Sequence, residues 1–395
     1  MLPLFLLGLL NFLQSHSETI SVLENRTLKT KPVITIDQFF SGAYCREYEE
    51  YFADNFIFRE KFVKFSGKIK ACYGLPGKDT VAIVLNKGAN VAASPGEDTS
   101  SPQGNMEGKV FVFNDRAMEI HTFNPEAAED YAGFINQLQN KLADEQIKIY
   151  SLLAPTQIEF LNEAKYQNLS SPQGDTIAYV NQHLDPRIIP VDAYAALKQN
   201  CTQYLYFRSD HHWTALGAYY AYCALMNTKA EEPLPLAEYT VEQVFPYLGS
   251  LYSTTLSPQI RANPDTVFLY RPPIKYQYWV YYDDPIEIDL WEMRFADEKN
   301  KYGIFLGGDH PWGKISTEIK NGKTTLVIKD SYANAFIPFL LPHYEEIYLL
   351  DPRQFDLEFL PFIRENKIQE ILFLNYVLVT DDCGFTDTLR QMAAF

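Results

Sequence analysis

The residues best able to do chemistry in this 395-residue chain fall in two short runs. They are Arg208-Ser209-Asp210-His211-His212-Trp213 and Lys329-Asp330-Ser331-Tyr332-Ala333-Asn334. Two of the chain's seven histidines stand side by side in the first run, next to an aspartate. An i, i+2 pair in an extended turn can point two side chains the same way, so Asp210 can reach the His212 imidazole. A carboxylate so placed fixes the imidazole tautomer and stabilises its charged form. The intervening His211 must then point elsewhere, into the domain or toward a neighbouring segment. The bland alternative is a pair of capping residues and a half-buried ring. In the second run, a serine hydroxyl is a poor nucleophile until a base takes its proton. Taken together, the two runs supply Ser331 as attacking oxygen, His212 as base and Asp210 as the acid that orients it. Taken alone, Ser331 could equally cap a helix.

Both runs sit where a strand meets a helix. Tyr204-Leu205-Tyr206-Phe207 is strand-like, and a helical pattern runs from Ala215, with Thr214 at the N-cap position. The apolar strand Thr324 to Ile328 leads to Ser331, and a helix is expected from Tyr332 to Leu341. Active sites of open α/β sheets form at this carboxyl edge. Backbone N–H groups at the start of a helix can hold an oxyanion, with the amide of Ser331 or Tyr332 expected to point into the cleft. The arrangement follows the logic of a nucleophile elbow without its flanking glycines.

Further strands are expected at Val81 to Leu85, Val110 to Phe113, Ile147 to Leu153, Ile188 to Val191, Glu346 to Leu350 and Ile371 to Asn375. Helices are expected from Pro125, at its favoured first position, and over Thr176 to His183. This alternation predicts a doubly wound α/β domain with a parallel sheet. From about Asn227 to Gly322 the pattern becomes aromatic, Pro-rich and strand-like, and predicts a β-rich insertion lying over one sheet edge. The expected divisions are 1–16 (signal peptide or signal anchor), 17–75 (helical arm), 76–226 and 323–395 (two parts of the α/β domain) and 227–322 (insertion).

A 47% apolar content allows a substantial core, and the formal charge of −16 repels phosphate backbones, which disfavours a nucleic-acid partner. The 27 Tyr and 27 Phe are compatible with a carbohydrate substrate, because sugars stack on exposed rings. The run Leu2 to Leu13 is shorter than the roughly 20 residues of a membrane span and fits the apolar region of a signal peptide or the tail of an anchor. Export is therefore expected, secreted or anchored. Five cysteines without a CxxC spacing disfavour zinc and thioredoxin-type sites, and Cys45 with Cys72 is one conceivable bridge. Asp210, His211, Asp309 and His310 could instead be read as metal ligands, the weaker alternative.

Asp210-His211-His212-Trp213 resembles the signature of the bacterial DHHW family. That family is similar to the alginate O-acetylation proteins, with a topologically permuted SGNH hydrolase-like fold. Glu24-Asn25-Arg26, the Phe39 to Arg59 arm, Gly307-Gly308-Asp309-His310, the Lys329 to Asn334 run and Asp351-Pro352-Arg353 resemble family blocks in family order. The resemblance implies Ser331 as nucleophile, His212 as base and Asp210 as its partner, with no cofactor. The order differs from ordinary SGNH enzymes, whose serine comes early and whose early glycine and asparagine blocks are not evident here. Oxyanion or substrate contacts are therefore sought at Tyr332, Gly308, Asn334, His310 and Arg353. The resemblance further implies transfer of acetyl groups to, or their removal from, a polysaccharide, with a membrane-bound O-acyltransferase as acetyl donor. A non-catalytic glycan-binding role, using the aromatic segment Tyr252 to Tyr282, is the competing expectation.

Overall fold

The computed structural model describes residues 109–163, 166 and 168–394, with shorter stretches at 20–21, 26–27, 29–34, 43–58 and 81–85. Expectations for the apolar N-terminal run, the helical arm beyond residue 58 and a Cys45–Cys72 bridge lie outside those residues. Among the described residues no helix is long and apolar enough to cross a membrane.

Eight strands form the central sheet: β1 Lys148–Ala154, β2 Ile189–Pro190, β3 Tyr276–Tyr281, β4 Pro285–Ile288, β5 Trp312–Thr317, β6 Thr324–Lys329, β7 Glu346–Leu350 and β8 Glu370–Tyr376. Their spatial order is β4-β3-β5-β7-β6-β8-β1-β2. The five strands from β7 to β2 run parallel. Strand β6 is buried at every residue, as expected of a parallel strand covered on both faces. Its side chains alternate between two cores. Val327 joins Leu349, Leu372, Leu374 and Leu152 on one face. Leu326 and Ile328 join Leu350, Ile371, Phe373 and Ile149 on the other. Burying each such side chain contributes about 1.5–3 kcal/mol.

Helices cover both faces. Helix α1 (Pro125–Lys141) starts with Pro at its first turn and Asn124 as N-cap, and packs on the second core through Tyr131, Phe134, Ile135 and Leu138. Helix α2 (Gln173–His183) lies beside it. Helix α3 (Ala215–Thr228) covers the opposite face, its N-terminus capped by the Thr214 hydroxyl, which accepts from the Gly217 N–H. Strand β2 shrinks to two residues at the sheet edge, where the missing N–H of Pro190 is tolerated.

Three expectations change. Lys109–Phe113 pairs with Val81–Leu85 and Arg116–Glu119 in a separate antiparallel sheet and does not alternate into the central one. Only part of the insertion stands apart from the sheet, as the paired strands Thr240–Tyr247 and Asp265–Arg271; its strands β3 and β4 continue the central sheet antiparallel, through β5. The helix expected after Ser331 is two 3-10 turns, Ser331–Ala335 and Ile337–Leu340. Pro338 has no N–H for an α-helical bond to Asn334 and restricts Ile337 before it, so a regular helix cannot continue there.

Candidate active site

Ser331 follows β6 at the carboxyl edge of the sheet, directly after Asp330. The loop carrying Asp210 and His212 is closed by an isolated antiparallel bridge between Tyr206 and Trp213 and by the Phe207 N–H donating to the His212 carbonyl at 3.3 Å. Trp213 is fully buried and its Nε1–H donates to the Tyr332 carbonyl at 2.8 Å. That bond ties the two catalytic runs together across 119 residues.

The three residues expected from the sequence converge. His212 Nε2 lies 2.7 Å from Ser331 Oγ, and His212 Nδ1 lies 2.6 Å from Asp210 Oδ1. Asp210 and His212 are 4% and 6% exposed, whereas Ser331 is half-buried and so open to a substrate. His211 turns away toward the insertion, its Nδ1 2.8 Å from Ser250 Oγ.

The groups that hold Asp210 were not legible in the sequence. Its Oδ2 accepts from the Tyr247 hydroxyl at 2.8 Å, the Ser250 N–H at 2.8 Å and the Ser250 hydroxyl at 3.0 Å. Buried Asp265 accepts from the Arg208 and Ser209 N–H groups at 2.9 and 2.8 Å and pins the loop from the same insertion. Gly249 packs against the carboxylate so closely that a Cβ there would lie 2.3 Å from Asp210 Oδ2 and 2.4 Å from Asp210 Cβ. Its φ of −85° suits any residue, so space and not backbone freedom demands glycine. Gly249→Ala must displace Asp210, which is held on all sides. We expect kcat/KM for an acetyl ester to fall roughly 100-fold, the cost of a misplacement near 1 Å, with stability reduced by about 1–3 kcal/mol from overpacking. Wild-type kinetics with an unchanged melting temperature would contradict this packing.

Tyr302 is also absent from the sequence reading. Its ring stacks on His212 with centroids 3.7 Å apart and planes 8° from parallel, and its hydroxyl donates to the Ser331 carbonyl at 2.9 Å. It thus fixes the imidazole plane and the nucleophile's backbone together.

Burial is opposed at Asp210 by the neighbouring His212 and His211 and by the donors on Oδ2, and the carboxyl is held well below its ordinary range. Burial lowers His212 from 6.5 to about 4, aided by adjacent His211 and opposed by Asp210. An imidazole accepts a proton only in its neutral form, so for a reaction in which His212 takes the Ser331 proton, protonation of the ring removes activity. The acid limb of kcat/KM therefore falls below pH 6.5, with the rate rising through it as pH rises and flat near neutrality. A limb at pH 7 or above, measured with a chromogenic acetate, would show that burial does not control this ring.

The expected oxyanion donors are mostly committed elsewhere. The Tyr332 N–H donates to Asp330 Oδ1 at 2.8 Å, because Asp330 caps the 3-10 turn. The Gly308 N–H donates to the Phe305 carbonyl at 3.2 Å. Asn334 Nδ2 donates to Asp309 Oδ1 at 3.0 Å. The Ser331 N–H has no hydrogen-bond partner among the described residues. Arg353 does not reach Asp210: it pairs with Asp351 and donates to Asp309 Oδ2 at 2.9 Å. His310 has its Nε2 2.8 Å from the Leu306 carbonyl and its Nδ1 2.7 Å from the Tyr282 hydroxyl, so it braces the insertion.

The metal alternative loses two of its ligands on these contacts. Ligand atoms of Asp210, His211 and His212 lie within 4.8 Å of one another. Asp309, however, is engaged by Lys329 at 2.7 Å and by Arg353, and His310 by its own loop. In the segment of the glycan-surface alternative, Tyr278 is 2% exposed inside the sheet, whereas Trp279 is half-buried and Tyr282 is 52% exposed.

A parallel sheet wound on both faces, with serine at the carboxyl edge and Asp-x-His earlier in the chain, defines an SGNH hydrolase-like fold in permuted order. The profile of the family described as DHHW protein matches residues 83–350, and the chain belongs to that family. A DHHW family protein from Eubacterium siraeum superimposes with a TM-score of 0.64 at 28% identity, over 72% of this chain and 95% of that one. Bacillus cereus PatB1 follows with a TM-score of 0.62 at 20% identity, over 71% and 99%. The O-acetyltransferase domain of Pseudomonas putida AlgJ superimposes more loosely, with a TM-score of 0.41 at 14% identity over 70% and 96%. No curated protein is similar enough in sequence to match.

Proposed function

We propose that the protein is an exported, serine-dependent O-acetyltransferase or acetylesterase acting on a polysaccharide. The observation that carries this reading is the unbroken relay from half-exposed Ser331 through His212 to buried Asp210. Ser331 Oγ attacks the acetyl carbonyl as its proton passes to His212 Nε2. The carbonyl oxygen becomes an oxyanion facing the Ser331 N–H. His212 returns the proton to the departing alcohol, leaving acetyl-Ser331. A sugar hydroxyl or water then gives its proton to His212 as its oxygen attacks the acyl carbon, and His212 passes that proton to Ser331 Oγ as the acyl–serine bond breaks. Asp210 stabilises the imidazolium in both halves and stays ionised.

Transfer requires a glycan hydroxyl to outcompete water at acetyl-Ser331, and the acetyl group in that case comes from a membrane-bound O-acyltransferase. The test is to incubate the protein with an acetyl ester and oligosaccharides and follow both by mass spectrometry. Acetyl on the Ser331 peptide, then on the sugar, marks a transferase. Acetyl on that peptide with only free acetate released marks an esterase. Turnover without acetyl-Ser331, abolished by a chelator, would overturn the reading.

A further inference from the structure

Beside the relay, on the same carboxyl edge of the sheet, lies a groove of about 330 Å³. One wall is Gln157 and Phe160, which follow β1. The floor is Tyr204, Tyr206 and Arg208, the segment that runs directly into Asp210. The Phe160 and Tyr206 rings lie 5.9 Å apart, and the Arg208 guanidinium sits 5.1 Å from the Tyr204 ring. Two polar atoms of this lining are buried without a hydrogen-bond partner: the acceptor Gln157 Oε1 and the donor Arg208 Nε. Such groups are costly unless something matches them.

The charges around the groove cancel. Arg208 Nε lies 3.6 Å from Asp265 and 3.9 Å from Asp115, and Arg116 lies 3.7 Å from Asp115. Neutralised arginines hold an anion weakly. They still offer N–H groups to a hydroxyl, and aromatic faces accept the C–H face of a sugar ring. The floor segment continues from Arg208 through Ser209 into Asp210, so the groove lies two residues from the relay.

We infer that this groove is a binding subsite for neutral pyranose units of the polysaccharide, leading their hydroxyls toward Ser331. Hydroxyls donate to Gln157 and accept from Arg208, and the rings lie on Phe160 and Tyr206. The inference rests on the reaction proposed above, and it names where the substrate chain lies.

Gln157→Ala and Phe160→Ala test it, with 4-nitrophenyl acetate as a substrate too short to reach the groove. The long substrates are acetylated cellotetraose, xylotetraose, mannotetraose and chitotetraose. For at least one of them, the ratio of its kcat/KM to that of the small ester should fall at least about tenfold in each variant, mainly through KM, as loss of a matched hydrogen bond or ring contact predicts. An unchanged ratio for all four, or no turnover of any of them by a wild-type protein that cleaves the small ester, overturns the subsite. If the wild-type protein cleaves no ester at all, the proposed reaction fails. The groove is then judged by NMR titration of the unacetylated oligosaccharides: binding weakened in Gln157→Ala sustains it, and absence of binding overturns it.

Discussion

Ser331→Ala is expected to lower kcat for a chromogenic acetate ester by about 10⁴-fold or more, the scale seen when the nucleophile of a serine relay is removed. The hydroxyl's contact is with His212, so the loss is chemical and the fold should persist. The variant should melt within a degree or two of the wild-type protein by circular dichroism. His212 keeps its contact with Asp210 and its stack on Tyr302, so the base remains in place with nothing to deprotonate. Sulfonyl fluoride labelling should modify Ser331 in the wild-type protein and leave the variant untouched at that peptide. Turnover within tenfold of wild type would remove Ser331 from the chemistry and the proposed reaction with it.

Asp210→Asn is expected to cost about 10⁴-fold in kcat, through the imidazole tautomer. Three donors surround Oδ2, namely the Tyr247 hydroxyl and the Ser250 N–H and hydroxyl. They require an acceptor at that position, so an asparagine sets its carbonyl oxygen there. Its NH2 then faces His212 Nδ1, and also the His212 backbone N–H that donates to Oδ1 at 3.1 Å in the wild-type protein. Nδ1 is forced to accept, the ring proton moves to Nε2, and Nε2 can no longer take the Ser331 proton. The ring-nitrogen shifts of His212 in an ¹⁵N NMR spectrum report this directly. A variant with near wild-type kcat and its proton still on Nδ1 would show that Asp210 is not what orients the base.

Much of this site was legible because its logic is local. An i, i+2 spacing at Asp210-His211-His212 brings a carboxylate to an imidazole within one turn, whatever the rest of the chain does. The boundaries of β7, the cap at Thr214 and the helix start at Pro125 were legible for the same reason: short-range sterics and hydrogen bonding decide them. The order Asp-His before Ser, with each run set between an apolar stretch and a helix-like one, also pointed to one sheet edge. Locality misled at Tyr332 to Leu341, where an apolar run looked like a helix and Pro338 made it two 3-10 turns.

The sequence by itself therefore determined which three side chains meet and the class of sheet that presents them. Only the tertiary structure decided what holds them. Tyr247 and Ser250 reach Asp210 from 37 and 40 residues away, and Tyr302 reaches His212 from a segment read only as insertion. Gly249 is required by a steric contact that no local pattern encodes. The insertion's strands could pack over the sheet or extend it, since alternation gives a strand's two faces and not its hydrogen-bonding neighbour. That neighbour is fixed by register across long sequence separations, and a separate pairing of Thr240–Tyr247 with Asp265–Arg271 supplies the wall against which Asp210 is buried.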